Sequence, residues 1–224
     1  MKVVMQFVAM FVASVVFFGA ALFLPAGTVD YWQAWLYLAV FTATTLLPSL
    51  YLAVKYPAAL QRRMKGGPTA ETRPVQRVVM VATIVAVVLQ LVVSALDHRF
   101  GWSSVPTAAV IVGAVLVGAG LLVAQFVVIQ NGYAAATITV EADQPLVSTG
   151  LYGLVRHPMY FGALVMMVGT PLALDSYWGL LLLVPACLAL GVRVADEEKM
   201  LTEELAGYAD YVTRVRFRLV PGVW

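Results

Sequence analysis

The chain has 224 residues and a formal net charge of +2, with 62% hydrophobic and only 12% charged residues. A soluble domain carries about 25% charged residues, so composition excludes a soluble fold. The Lys and Arg residues are too few and too scattered for a nucleic-acid partner. With a mean hydropathy of +0.88, the expected fold is all-α, a polytopic membrane helix bundle.

Charge-free runs define the spans. A membrane helix needs about 20 apolar residues, within a range of about 17–25. Runs 3–29, 31–54 and 78–96 predict one helix each, over 4–24, 32–54 and 78–96. Run 100–140 is too long for one span and predicts a helix over 106–129, opened by Pro106. Two shorter runs, 158–174 and 176–192, meet at Asp175, which reads as the tip of a helical hairpin. The chain thus divides into a four-helix region, 1–129, and a region 130–224 with the hairpin and a cytoplasmic C-terminal helix. A secretory leader over 1–24 is the competing reading, but its apolar stretch exceeds the usual length of about 7–15 residues.

Sidedness follows from the basic residues. With Lys2 inside, so are Lys55, Arg62, Arg63, Lys65, Arg73, Arg77, Arg156, Arg193, Lys199, Arg214, Arg216 and Arg218. Arg99 alone falls outside. Tyr31, Trp32, Trp35, Trp102, Tyr177 and Trp178 flank the outer loops as an aromatic belt would. Both termini are therefore expected at the cytoplasmic side, of a bacterial inner membrane.

Three polar segments lie on that side. Segment 55–77, basic except for Glu71, reads as a topology anchor against anionic head groups. Segment 130–163 brings Arg156 and His157 directly before a helix opened by Pro158, with Tyr152 and Tyr160 nearby. A helix start favours anions, so this cluster suits a ligand carboxylate, the alternative being an interfacial anchor. The third segment follows the hairpin and begins at Arg193. Arg193 and Glu197 share a helix face and could pair. Glu198, Glu203 and Glu204 continue an acidic run, which taken alone reads as a solvated helix. Because the hairpin returns the chain to its starting side, Arg193 should emerge beside Arg156 and His157.

Other chemistry finds no pattern. Gly113, Gly118 and Gly120 lie inside a predicted membrane helix. There Ala114/Gly118 and Gly120/Ala124 have the small-xxx-small spacing of close helix packing. Two histidines, His98 and His157, fall on opposite sides and make no metal site. The single cysteine, Cys187, excludes an internal disulfide and reads as core.

The runs LVSTGLYGLVRHPMYFG (146–162), RVADEEKML (193–201) and GYADYVTRVRFRLVPGVW (207–224) resemble the isoprenylcysteine carboxyl methyltransferase family. The resemblance is closest to its bacterial membrane branch, grouped with the phospholipid methyltransferases, and covers about the last 95 residues. It implies S-adenosylmethionine as cofactor and a lipophilic or small carboxylate or thiol acceptor. Carried over by position, Gln144, Pro145, Leu146, Val147, Tyr152, His157, Pro158, Met159, Tyr160 and Glu197 would bind the cofactor. Arg193 matches the family's substrate-orienting arginine. Gln144 stands where eukaryotic members have a histidine, a departure that bears on the acceptor. Two other classes stay open from the residues alone. One is an NADPH-dependent reductase of sterol or isoprenoid double bonds, and the other a transporter or assembly subunit using Glu197 and Glu198.

Overall fold

The computed structural model describes residues 2–224, although the side chain of Lys2, one of the residues used for sidedness, lies outside the described part. Eight α-helices follow one another: α1 (Lys2–Ala26), α2 (Trp32–Lys55), α3 (Pro57–Met64), α4 (Pro74–Phe100), α5 (Thr107–Gln130), α6 (Pro158–Ala173), α7 (Leu183–Glu204) and α8 (Tyr208–Arg214). Among the described residues there is no β-strand. Five helices are long and apolar enough to cross a membrane: α1, α2, α4, α5 and the stretch Trp178–Glu204. The bundle's exterior is apolar, as lipid contact requires, with Leu24, Val54 and Leu188 all exposed. This is the polytopic all-α membrane fold expected. The acidic run is not a separate helix, however, because α7 continues unbroken from the hairpin to Glu204.

Prolines start α3, α4 and α6, where a missing N–H leaves no hydrogen bond unmade. Gly101, at φ +62°, ends α4 in the left-handed conformation that glycine adopts without strain. The 16 residues of α6 reach about 24 Å, less than the roughly 30 Å of a hydrocarbon core. Its two ends nonetheless meet the same polar layers as its neighbours.

One of these layers, opposite the basic residues, locks the hairpin. Asp97 is fully buried and accepts hydrogen bonds from Ser103 N–H (2.7 Å), Ser103 Oγ (2.6 Å) and Ser176 Oγ (2.6 Å). Asp175, in a left-handed turn, accepts from Val105 N–H (2.7 Å) and Gln33 Nε2 (3.1 Å). Tyr31 is buried here with its hydroxyl on the Leu174 carbonyl, so it is not part of the aromatic belt. Trp32, Trp35, Trp102, Tyr177 and Trp178 are exposed, as a belt requires.

The tightest helix contact is between α5 and α6. A Cβ on Gly113 would sit 2.4 Å from Ala173 N, and one on Gly120 2.3 Å from the Gly162 carbonyl. From α6, Gly162 and Gly169 face Gly120 and Gly113 in return. The contact therefore uses glycines seven apart on each helix. Of the pairs with small-xxx-small spacing, Gly118 packs closely against Val40 of α2, whereas Gly120 belongs to the α6 contact. Cys187 is likewise not core: it lies exposed on the outer face of α7.

Gly120→Ala is expected to lower the thermal midpoint in detergent, since overpacking costs about 1–3 kcal/mol. Gly19→Ala, where nothing lies within 4 Å, is expected to leave the midpoint unchanged or raise it, as helical Gly→Ala usually does. Equal effects would contradict the glycine contact.

Candidate active site

Four stretches converge at the basic end: the connector after α3, the loop after α5, the start of α6 and the last turns of α7. Arg193 ties them together. It is 8% exposed. Its guanidinium donates to Glu71 Oε1 (3.0 Å), Gln76 Oε1 (3.1 Å), the Ala136 carbonyl (3.1 Å) and the Tyr160 hydroxyl (2.9 Å). Glu71 is 1% exposed, and its other oxygen accepts from Ile138 N–H at 3.3 Å. A guanidinium cannot shed its proton, so burying it calls for acceptors such as these four.

Segment 55–77 is thus more than an anchor. Glu71 enters the buried network, Arg73 pairs with Asp196, and Arg62 binds Glu141 across the loop after α5. The Arg193–Glu197 pair does not form. Tyr160 stands between them, receiving from Arg193 Nε and donating to Glu197 Oε2 at 2.6 Å. Glu71 has taken the charge-neutralising position.

Glu198 organises a second cluster and is not solvated. It accepts from Arg156 Nε (2.6 Å) and Arg218 Nε (2.8 Å), and His157 Nε2 lies 3.3 Å away. Arg156 also donates to the carbonyls of Val215 and Arg216. The backbone N–H groups of Arg156 and His157 bond the carbonyls of Phe217 and Arg218. Arg156 thus holds the C-terminal segment through Nε and Nη1, while its Nη2 has no hydrogen-bond partner among the described residues and the residue lines the cleft. At the helix start, His157 N–H goes to the Arg218 carbonyl and Tyr160 N–H to the His157 carbonyl, which leaves Met159 N–H as the first-turn donor without a backbone partner among the described residues.

Beside these clusters opens a cleft. Gln144, Pro145, Leu146 and Val147 line it from the loop after α5. Tyr152, His157, Pro158, Met159 and Tyr160 form a second wall, and Arg193 and Glu197 a third. All the residues assigned by resemblance thus face one space. The sequence reading missed Asn131, Tyr133, Tyr208 and Tyr211, which also line it. The three-residue spacing of Tyr208 and Tyr211 in the GYADY run was a usable signal for the last two.

Three features give the cleft its chemistry. Glu197 has one neutral hydrogen-bond donor, Tyr160, and only a distant His157 Nδ1 at 3.8 Å. The Tyr208 hydroxyl is buried and has no hydrogen-bond partner among the described residues. Burial pushes the Tyr152 phenol up to about 12, so with Asn131 donating to its oxygen it keeps a proton to donate. The cleft offers one under-neutralised carboxylate, neutral hydroxyls and aromatic faces, beside the ion-paired guanidinium groups of Arg156 and Arg193. A cation with a hydrogen-bonding body fits that inventory.

A second cavity lies among α4, α5, α6 and α7. Its walls are mainly apolar, and it shares Met159, Tyr160 and Arg193 with the cleft.

The two acidic neighbours should separate in experiment. Glu198→Gln leaves Arg156 buried with a weakened partner, a change that can cost about 3–5 kcal/mol. Limited proteolysis after residue 205 is expected to accelerate in that variant and not in Glu197→Gln. Equal protection in both would refute the assignment of Glu198 to holding the C-terminal segment.

Residues 108–208 match the model of the phospholipid methyltransferase family. No curated protein matches the chain. Among solved structures, one similar chain is the eukaryotic intramembrane Ras methyltransferase ICMT (isoprenylcysteine carboxyl methyltransferase). It is 15% identical, with a TM-score of 0.49 and coverage of 98% of this chain and 86% of that one. The family match spans α5, the cleft loop, α6 and α7. Over this part, less than half of the chain, the sequence is similar to the phospholipid methyltransferases, and the matched stretch includes the RHPMY run and its downstream acidic pair.

Proposed function

We propose that this protein is an integral-membrane methyltransferase that uses S-adenosylmethionine and acts on a lipophilic or small acceptor. The observation that carries the reading is Glu197, a carboxylate turned to the cleft with a neutral donor where a countercharge would be expected. The family match over residues 108–208 supports the same reading.

The residues present fit the cofactor. Its ammonium and sulfonium are cations, and Glu197 with the tyrosine faces of the cleft suits them. Its polar groups suit the Tyr152 phenol and the orphan Tyr208 hydroxyl. S-adenosylmethionine, when bound, supplies a methyl group on a cationic sulfur for in-line displacement. The chain's own task is alignment and exclusion of water, and holding two reactants in near-attack geometry is worth about 7–11 kcal/mol. Met159, Tyr160 and Arg193 wall both the cleft and the apolar cavity, so an acceptor in the second space meets a ligand in the first there. Arg193, fixed by Glu71, orients the acceptor, and a carboxylate or thiolate acceptor needs no general base. We place this end at the cytoplasmic side because it gathers the basic residues.

The reductase alternative lacks support at the cleft. NADPH carries a 2′-phosphate, yet Arg156, Arg193, Arg62 and Arg73 are all in ion pairs with Glu198, Glu71, Glu141 and Asp196. The transporter alternative needs carboxylates at mid-membrane depth, and Glu197 and Glu198 instead lie at the polar end of α7.

Calorimetric titration of the detergent-purified protein tests this. S-adenosylmethionine should bind saturably. Glu197→Ala and His157→Ala should weaken binding about tenfold or more, matching a lost charge-assisted hydrogen bond of about 1.5–3 kcal/mol. Tyr208→Phe should weaken it a few-fold. NADPH binding with no response to S-adenosylmethionine would overturn the reading.

A further inference from the structure

Arg63, on α3, is an unexplained charge. It has no hydrogen-bond or ion-pair partner among the described residues, whereas Arg62, Arg73, Arg156, Arg193 and Arg218 each pair with a carboxylate. It is half-buried. Its side chain lines the apolar cavity among α4–α7 and a further one bounded by α1, α2, α3 and α5. Leu121 and Ala124 wall both cavities with it, so the guanidinium stands where the two apolar spaces adjoin.

A guanidinium keeps its charge under all ordinary conditions, and an unpaired charge facing low-dielectric walls is unfavourable without an anion. Burial, together with the nearby Arg193 cation, pushes the Arg63 guanidinium below its ordinary range. Arg193 is already neutralised by Glu71. The uncompensated positive charge of the cavity is therefore that of Arg63.

We infer that Arg63 is a recognition site for the anionic head group of an amphiphile whose apolar tail occupies the adjoining cavity. The chemistry required is one exposed anion, a carboxylate or a phosphate, on a long apolar chain. This deepens the proposed methyl transfer, on which its role in acceptor selection rests, because the same cavity reaches Met159 and Tyr160 at the cleft. Arg63 selects and positions the acceptor and takes no part in breaking or forming bonds. It lies outside the segment matched by the family model, so it serves as a feature of this chain.

The test is equilibrium binding of radiolabelled hexadecanoic acid, hexadecyl phosphate and hexadecan-1-ol to the full-length protein in a neutral maltoside detergent. It is run at about pH 8, where a carboxylate is ionised. The wild type should bind the acid, the phosphate or both at least about tenfold more tightly than the alcohol, the scale of a charge-assisted hydrogen bond. The preferred anion identifies the head group. Arg63→Ala should abolish the preference while leaving alcohol binding unchanged, and Arg63→Lys should retain part of it. Equal binding of acid, phosphate and alcohol by the wild type overturns the inference, and this arm needs no variant to fold. A preference that persists in Arg63→Ala overturns it too. S-adenosylmethionine binding, measured on the same preparations, keeps the two claims apart. Anion preference without cofactor binding sinks only the methyl-transfer reading, and cofactor binding without anion preference sinks only this one.

Discussion

A permanent positive charge placed on an apolar helix where it nears the membrane edge must be surrounded by acceptors, and in this fold Arg193 imposes that demand. Its partners come from distant parts of the chain. Glu71 belongs to the connector before α4, Gln76 to α4, Ala136 to the loop after α5, and Tyr160 to α6. Satisfying one guanidinium therefore fixes the positions of three helices and two connections. Removing either member of the Arg193–Glu71 pair would strand a buried charge, which makes the pair structural as well as a wall of the site.

Charge matching also decides what the site has left for a ligand. Arg193 is neutralised by Glu71, and Arg156 by Glu198 with the C-terminal segment wrapped around it. Glu197 remains on one side of the shared wall and Arg63 on the other. On the proposed reading, the cleft takes a cation and the apolar cavity takes an anion. Reactants of opposite charge would then meet across Met159 and Tyr160. The glycine-faced contact of α5 with α6 supports this arrangement from below, because both spaces are built partly on those two helices.

Much of this was legible in the sequence. Uninterrupted apolar runs reported the helices, since lipid leaves no other way to satisfy a backbone, and Asp175 marked the hairpin turn. The convergence of Arg193 with residues 156–160 followed from that topology. Partner choice did not. Glu71 was hidden because a carboxylate among six basic residues reads as part of a charged loop, and its partner lies 122 positions away. The structural role of Arg156 was hidden because its partners, Glu198 of α7 and the carbonyls of Val215 and Arg216, lie 42 to 60 positions away. Arg193 and Glu197 have ideal helical spacing, yet the spacing could not reveal that Tyr160 comes between them. Local periodicity is written in the sequence, whereas the allocation of buried countercharges is a global property of the fold.

The central claim is that one cleft, walled by Glu197 and by the Met159–Tyr160–Arg193 boundary, holds the methyl donor facing the apolar cavity. The most direct measurement is an experimental structure with S-adenosylhomocysteine, the demethylated product. The account predicts density in the cleft in contact with Glu197, its sulfur on the Tyr160 side. Density elsewhere in the bundle, or in the cleft with the sulfur turned away from Tyr160, would contradict it.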